Sequence, residues 1–304
     1  MKSERVAFIG FGEAGQTLAG GLVAAGVARI VAYDVLFDAS PGSAPEQAAR
    51  ALGVETARDH VAAVRDADVV FLAVTASSSL EAALACLPGL RRGQLFLDID
   101  SVSPKRKIDT AARIAETGAS YVDVAVMAPV APYGHKVPCL IGGPGAAALL
   151  PLAEAIGMKM EMVSAEVGQA SAIKMFRSVV IKGLEALVVE SMVAAAEYRV
   201  EERVLASLAE TFPSLDWEKL SGYMIERVVS HGQRRAAEMR EVAATLEGIG
   251  IEPLMAAATA ARQQWVADLR VKEQLAGRKT EQRAELVRAI RAAASHGMGR
   301  KESR

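Results

Sequence analysis

The chain has 304 residues, of which 51% are hydrophobic and 23% charged, with a formal net charge of −1. That length and apolar content suit about two globular domains with substantial cores, and the balanced charge gives no bias toward nucleic acid or membrane. Two cysteines, Cys86 and Cys139, supply neither a disulfide framework nor a metal cluster. The expected setting is the cytoplasm. No signal peptide precedes Arg5, and the most apolar helical stretch, around Val179 to Ala196, is interrupted by Lys182, Glu185 and Glu190, which excludes a membrane span.

The first predicted element is a buried strand, Val6 to Ile9, running directly into Gly10-Phe11-Gly12-Glu13-Ala14-Gly15. A Gly-x-Gly-x-x-Gly run between a strand and a helix is the dinucleotide-binding fingerprint. Gly10 permits the tight turn, Gly12 lets a pyrophosphate approach the backbone, and Gly15 lets the helix pack close to the strand. Glu13 and Ala14 lie where the N–H groups and positive dipole end of the following helix face the phosphates. That helix, Gln16 to Ala25, is built of small and apolar residues and stops at Gly26. An ordinary βαβ turn carries the same glycines; the strand before and the helix after favour a cofactor.

The second strand, Arg29 to Asp34, ends in an acid about 20 residues beyond the third glycine, where a carboxylate grips the ribose diol. A carboxylate there favours the free 2′-OH of NAD and repels the 2′-phosphate of NADP. No Arg or Lys follows within Val35-Leu36-Phe37-Asp38. NAD is the expected cofactor, NADP less so.

The alternation continues. Asp68 to Val74 is a near-continuous apolar run, as expected of a parallel strand covered on both faces, and Val74 and Thr75 at its end join the expected cofactor-binding residues. Gln94 to Asp98, Ser120 to Val126 and Pro138 to Gly142 read as further strands, with helices near Ala44–Leu52, Leu80–Leu87 and Pro104–Glu116. This pattern predicts an α/β Rossmann domain with a doubly wound parallel sheet over residues 1–167. After about Gly168 the strands disappear and amphipathic helical pattern continues, with breaks at Pro213 and Pro253. An all-α domain for substrate binding and dimerisation is expected over residues 168–304, joined through a long helix starting near Gln169. The segment from Lys272 onward is rich in Lys and Arg and reads as a solvated terminal helix and frayed tail.

The join carries the second motif, Gly168-Gln-Ala-Ser-Ala-Ile-Lys174-Met-Phe-Arg-Ser178-Val-Val-Ile-Lys182. Lys174 and Ser178 share a helix face, and Lys182 lies a turn further along it. A lysine in the first turns of an apolar helix, pointed into a cleft, is partly desolvated, which favours the neutral amine needed for proton transfer. The alternative is a pair of lysines that snorkel from a buried helix to solvent. Further on, His231, Arg235 and Glu238 recur at helical spacing; they present either a polar face to the cleft, where Arg235 or Lys182 meets an anionic substrate group, or a salt-bridged structural face. The four histidines show no metal-ligand spacing, and hydride transfer needs no metal.

These residues together resemble the β-hydroxyacid dehydrogenases, which include 3-hydroxyisobutyrate and 6-phosphogluconate dehydrogenases. The likeness runs from Arg5 to about Val266 and rests on the glycine loop, Asp98-Ile-Asp-Ser101-Val-Ser-Pro104, Asp123-Val-Ala-Val126 and the Lys174 segment. It implies NAD(P)-dependent oxidation of an alcohol near an acidic group, or the reverse reduction. It further implies that Lys174 is the general acid or base, and that Ser101 lies near nicotinamide and substrate. Members commonly pair through the helical domain, so a homodimer or larger homo-oligomer is expected. Where the family usually has Ser-Gly-Gly to cradle a carboxylate, this chain has Met127-Ala128-Pro129, and Ser178 replaces the usual Asn. Pro129 lacks an N–H and Met127 lacks a hydroxyl, so the substrate is not expected to be a simple short 3-hydroxy acid. The C-terminal half looks like a less characterised subgroup with its own helical domain.

The leading expectation is an NAD-dependent dehydrogenase or reductase acting on a β-hydroxyacid-type or related hydroxy or aldehyde substrate. Lys174 is the catalytic residue, and Ser101, Met127, Ser178, Lys182, His231 and Arg235 are the substrate-binding set. An oxidised product whose carboxylate lies β to the new carbonyl would be prone to decarboxylate. The alternatives are an imine reductase-like enzyme, against which the lysine argues, and a non-catalytic NAD-binding protein.

Overall fold

Runs of Val, Ile and Phe with no polar interruption form strands only where both faces are covered, and the central strands here are of that kind. The computed structural model describes residues 4–39, 42–275 and 277–298. They divide into two compact units, residues 1–175 and 176–304. The division falls inside a helix, about two turns beyond the Gly168 boundary expected from sequence, because the first turns of that helix are bonded into the first unit.

The first unit runs β1 (Arg5–Ile9), α1 (Glu13–Ala24), β2 (Arg29–Tyr33), α2 (Val35–Ala39), α3 (Ala44–Ala51), β3 (Glu55–Thr56), α4 (His60–Val64), β4 (Val69–Leu72), α5 (Ser79–Cys86), β5 (Leu95–Asp98), α6 (Pro104–Ala115), β6 (Ser120–Val126), β7 (Cys139–Gly142), α7 (Ala146–Glu154) and β8 (Met160–Ser164). The eight strands form one sheet in the order β3-β2-β1-β4-β5-β6-β7-β8. Every neighbouring pair is parallel except β6 and β7. The sheet is thus doubly wound, with one antiparallel step that the sequence reading did not foresee. Phe8, Phe71, Phe96, Leu97 and Ile141 fill its core, and Phe8 stacks on Phe71 across the β1–β4 pair. Strand order reverses between β1 and β4, and ligands of such sheets bind outside the carboxyl ends at that point.

A long helix, α8 (Gln169–Tyr198), leaves the first unit and enters the second. There follow α9 (Glu201–Thr211), α10 (Trp217–Gly248), α11 (Leu254–Asp268), α12 (Val271–Gln274) and α13 (Arg283–Met298). The breaks expected at Pro213 and Pro253 fall after α9 and at the start of α11. Val189, Met192, Ile225, Val228, Val266, Leu286 and Ile290 form the core of this unit. Its basic end is tied in by ion pairs, Arg283 with Glu202 and Glu218, and Arg291 with Glu197. The expected frayed tail lies partly in residues 299–304, outside the described residues.

Candidate active site

The carboxyl edge of the sheet begins with the glycine loop. Gly10 has φ +88°, and a Cβ there would overlap the Ala73 carbonyl oxygen and the Val74 side chain. Only glycine lets the turn lie against the end of β4. A Cβ on Gly15 would stand 2.6 Å from the Gly10 carbonyl oxygen, so α1 rests directly on the loop. Gly12 differs from both. Nothing lies within 4 Å of where its Cβ would stand, and it begins α1 without a side-chain cap. The first-turn N–H groups of α1, at Glu13, Ala14 and Gly15, therefore stand behind an open cradle that suits a pyrophosphate.

Asp34 is half-buried just beyond β2. Its Oδ2 accepts the Phe11 N–H at 2.7 Å and its Oδ1 accepts the Leu36 N–H at 3.0 Å. The carboxylate thereby ties the end of β2 to the glycine loop. Beyond β4, the Val74 N–H donates to Asp100 Oδ1 at 2.8 Å, and the Thr75 hydroxyl pairs with Ser77 and Ser78 at 3.0 and 3.2 Å. The residues of the first unit expected to hold a dinucleotide thus share one edge and fit the group.

Ser101 is exposed on the loop after β5, and Lys174 is half-buried in the second turn of α8. Lys174 Nζ donates to Ser101 Oγ at 2.8 Å, joining residues far apart in sequence. The lysine's charge is also felt at Cys139, whose thiol burial pushes up to about 12 against the opposing pull of Lys174. Met127, after β6, is half-buried and its N–H is spent on the Pro138 carbonyl at 2.9 Å. Pro129, two residues further on, carries no N–H to offer a substrate.

Beneath the pair lies a buried ionic cluster that sequence reading missed. Asp98, Lys107 and Asp123 are each fully buried. Lys107 Nζ donates to the Asp98 carbonyl at 2.6 Å and to Asp98 Oδ1 at 2.8 Å, and stands 3.8 Å from Asp123 Oδ1. The Tyr121 hydroxyl donates to Asp98 Oδ2 at 2.5 Å, and burial together with that carboxylate drives its pKa well above the ordinary value. Asp123 Oδ2 accepts the N–H groups of Gly168 and Ser171 at 3.0 and 3.1 Å, and its Oδ1 accepts the Ser171 hydroxyl. The acids were visible in two predicted strands, Asp98 at the end of one and Asp123 inside the other, but nothing local marked Lys107 as their partner.

The other expected site residues belong to the second unit. Ser178 is half-buried on α8. Lys182 Nζ meets Glu238 at 2.6 Å; burial lowers its pKa and the Glu238 carboxylate opposes the shift. Arg235 donates its guanidinium fork to Glu185, both side chains buried, and Gln263 Nε2 reaches the same carboxylate at 3.3 Å. His231 is half-buried, and burial with Arg227 and Arg234 nearby lowers its pKa. Among the described residues no group of three or more His, Cys, Asp or Glu is placed to hold a metal ion, and no helix is long and apolar enough to cross a membrane.

The sheet and its glycine-loop edge define a Rossmann-type oxidoreductase with a site for a nicotinamide dinucleotide. Residues 5–101 match the family model described as NADP oxidoreductase, coenzyme F420-dependent, and residues 195–266 match a domain of unknown function, DUF1932. A conserved hypothetical protein from Sinorhizobium meliloti is 38% identical and superposes with a TM-score of 0.81, covering 95% of this chain and 96% of its own. A conserved protein of unknown function, reported as structurally similar to 3-hydroxyacid dehydrogenases, is 32% identical over 88% of this chain and 98% of its own, with a TM-score of 0.74. The 3-hydroxyisobutyrate dehydrogenase of Mycobacterium tuberculosis shares the fold at 17% identity, with a TM-score of 0.71 over 95% and 98% of the two chains. The chain belongs to the β-hydroxyacid dehydrogenase-like family, in a branch with its own helical C-terminal domain.

Proposed function

We propose that this protein is an NAD-linked dehydrogenase or reductase that interconverts a hydroxyl and a carbonyl on a β-hydroxyacid-type or related hydroxy or aldehyde substrate. The observation that carries this reading is the Lys174–Ser101 hydrogen bond at 2.8 Å, at the same strand edge as the glycine loop. A bound NAD supplies the hydride acceptor at its nicotinamide ring. In the oxidising direction Lys174, as the neutral amine, takes the hydroxyl proton of the substrate; in the reducing direction its ammonium returns that proton. Ser101 accepts a hydrogen bond from Lys174 and turns its own O–H toward the substrate oxygen, which fixes the line of proton transfer.

Substrate choice falls to the groups around this pair. Met127 presents a thioether instead of a hydroxyl, and its backbone N–H is already engaged, so the loop after β6 favours a less polar substituent than a bare carboxylate. Ser178, four residues beyond Lys174 on α8, is the polar group proposed to meet the substrate. Lys182 and Arg235 already hold the carboxylates of Glu238 and Glu185, and their proposed part is to fix α8 against α10. A homodimer formed through the helical unit and a reducing cytoplasm, suited to two buried free thiols, complete the proposal.

Fluorescence titration with both cofactors tests the assignment of NAD. NAD is expected to bind more tightly than NADP, and Asp34→Ala is expected to narrow the gap by at most about 1.5–3 kcal/mol, the worth of a charged hydrogen bond. Equal affinities in the native protein, or tighter NADP, would contradict the role given to Asp34.

A further inference from the structure

The Lys174–Ser101 pair is made by two segments that do not touch in sequence, so something must set their separation. Ser101 follows β5 by three residues, and the Asp100 N–H turns back to Asp98 Oδ1 at 2.9 Å, which folds that loop onto the end of its own strand. Lys174 sits one turn after Ser171, whose N–H and hydroxyl both bond Asp123 in the middle of β6. Gly168, at φ +100°, donates to the same carboxylate, and a Cβ there would stand 3.2 Å from Ile108 of α6. The helix bearing Lys174 therefore starts from Asp123, and the loop bearing Ser101 starts from Asp98. Lys107 of α6 lies between the two carboxylates, 2.8 Å from one and 3.8 Å from the other.

We infer that Asp98, Lys107 and Asp123 are positioning residues: one buried ammonium between two carboxylates fixes where the loop of Ser101 and the first turn of α8 begin, and so sets the reach of Lys174 to Ser101. This rests on the reading of Lys174 as the proton-transfer group. Burying three charges is a poor route to stability, since apolar side chains of the same volume serve as well or better. What the charges add is direction. Each carboxylate oxygen accepts from a named donor, and a shift of about 1 Å at a reacting pair costs on the order of 100-fold in rate. An apolar cluster at the same place would hold the sheet together without dictating the start of α8.

The test is the reactivity of the Lys174 amine in the whole chain, read by mass spectrometry after brief treatment with acetic anhydride. Lys105, highly exposed on α6 and paired with Asp109, serves as the internal reference. In the native protein Lys174, held by Ser101, is expected to label more slowly than Lys105. Asp123→Asn is expected to raise the Lys174-to-Lys105 ratio several-fold, and Ser171→Ala, which removes one hydroxyl and leaves the backbone bonds, to raise it less. If Asp123→Asn does not fold, Ser171→Ala decides alone. A ratio unchanged from native in every variant that folds, even with a lowered melting temperature, would show that the cluster only stabilises the sheet and would overturn the inference. The readout needs no substrate. A failure of Lys174 as the base would appear separately, as turnover retained in Lys174→Met.

Discussion

Asp100 Oδ1 accepts the Val74 N–H, while its Oδ2 is buried with no hydrogen-bond partner among the described residues. Burial first, and then the Asp98 carboxylate, push the Asp100 carboxyl well above the usual range, with Lys107 pulling the other way. The folded state thus keeps a proton that the unfolded chain loses near pH 4. Stability from this group is full below that pH and is lost as pH rises toward the folded pKa, because the native state binds the extra proton. Asp100→Asn keeps an acceptor for Val74 and removes the titration. It is expected to melt a few degrees above the native protein at pH 8, with the gain vanishing near pH 4; a difference independent of pH would contradict this. At this scale the sequence singled out residues that stand in a local pattern: the three glycines, Asp34 at its spacing, Lys174 on its helix. It did not show Lys107, whose partners Asp98 and Asp123 come from two different strands. Nor did it show that Arg235 and Lys182 are taken up by Glu185 and Glu238, since pairing across helices leaves no mark in spacing along one of them.

Among the elements, the central strands and the start of α8 at Gln169 were legible because each is a long run of one period. The antiparallel turn of β7 against β6 was not, since apolar content carries no direction. β3 is two residues long, and β8, at the sheet edge, alternates Met160-Glu161-Met162 with no residue fully buried, too weak a signal to separate from loop. The glycine loop allows a sharp comparison. Gly12, at φ −73° with open space at its Cβ position, accommodates alanine in the fold, at a cost of about 1 kcal/mol for a poorer helix cap. The methyl group fills the phosphate cradle, so Gly12→Ala is expected to melt near the native temperature yet lose most of its affinity for NAD. Gly10→Ala, forced to φ +88° against Ala73, is expected to lower the melting temperature itself. Native NAD affinity in Gly12→Ala would place the pyrophosphate elsewhere.

In the molecule as a whole, α8 is apolar on more than the face its own unit covers. Val189 and Met192 are buried in the helical core, while Phe176, Val180, Leu184 and Leu187 form a second stripe at helical spacing, with Val180 61% and Leu187 53% exposed. Leu254 and Met255 at the start of α11 are exposed as well. An uncovered apolar stripe of this length calls for a partner, and a two-fold pair of identical chains is the commonest way to cover it. Light scattering at micromolar concentration is expected to give twice the chain mass of 32.0 kDa or more. A species that stays at the chain mass would contradict the dimer, and Val180→Glu would then leave its size unchanged.

The central claim is that Lys174 moves the proton in an NAD-linked hydroxyl–carbonyl interconversion. The most direct measurement follows NADH absorbance while native protein and Lys174→Met are supplied with NAD and a panel of hydroxy acids and hydroxyaldehydes, with NAD binding measured alongside. The account predicts that at least one compound is oxidised by the native enzyme. It predicts that Lys174→Met lowers that turnover by about 10²–10⁴, the usual worth of a positioned acid or base, while NAD affinity stays close to native. Turnover largely retained in Lys174→Met, or a native protein that binds NAD and oxidises no compound in the panel, would contradict it.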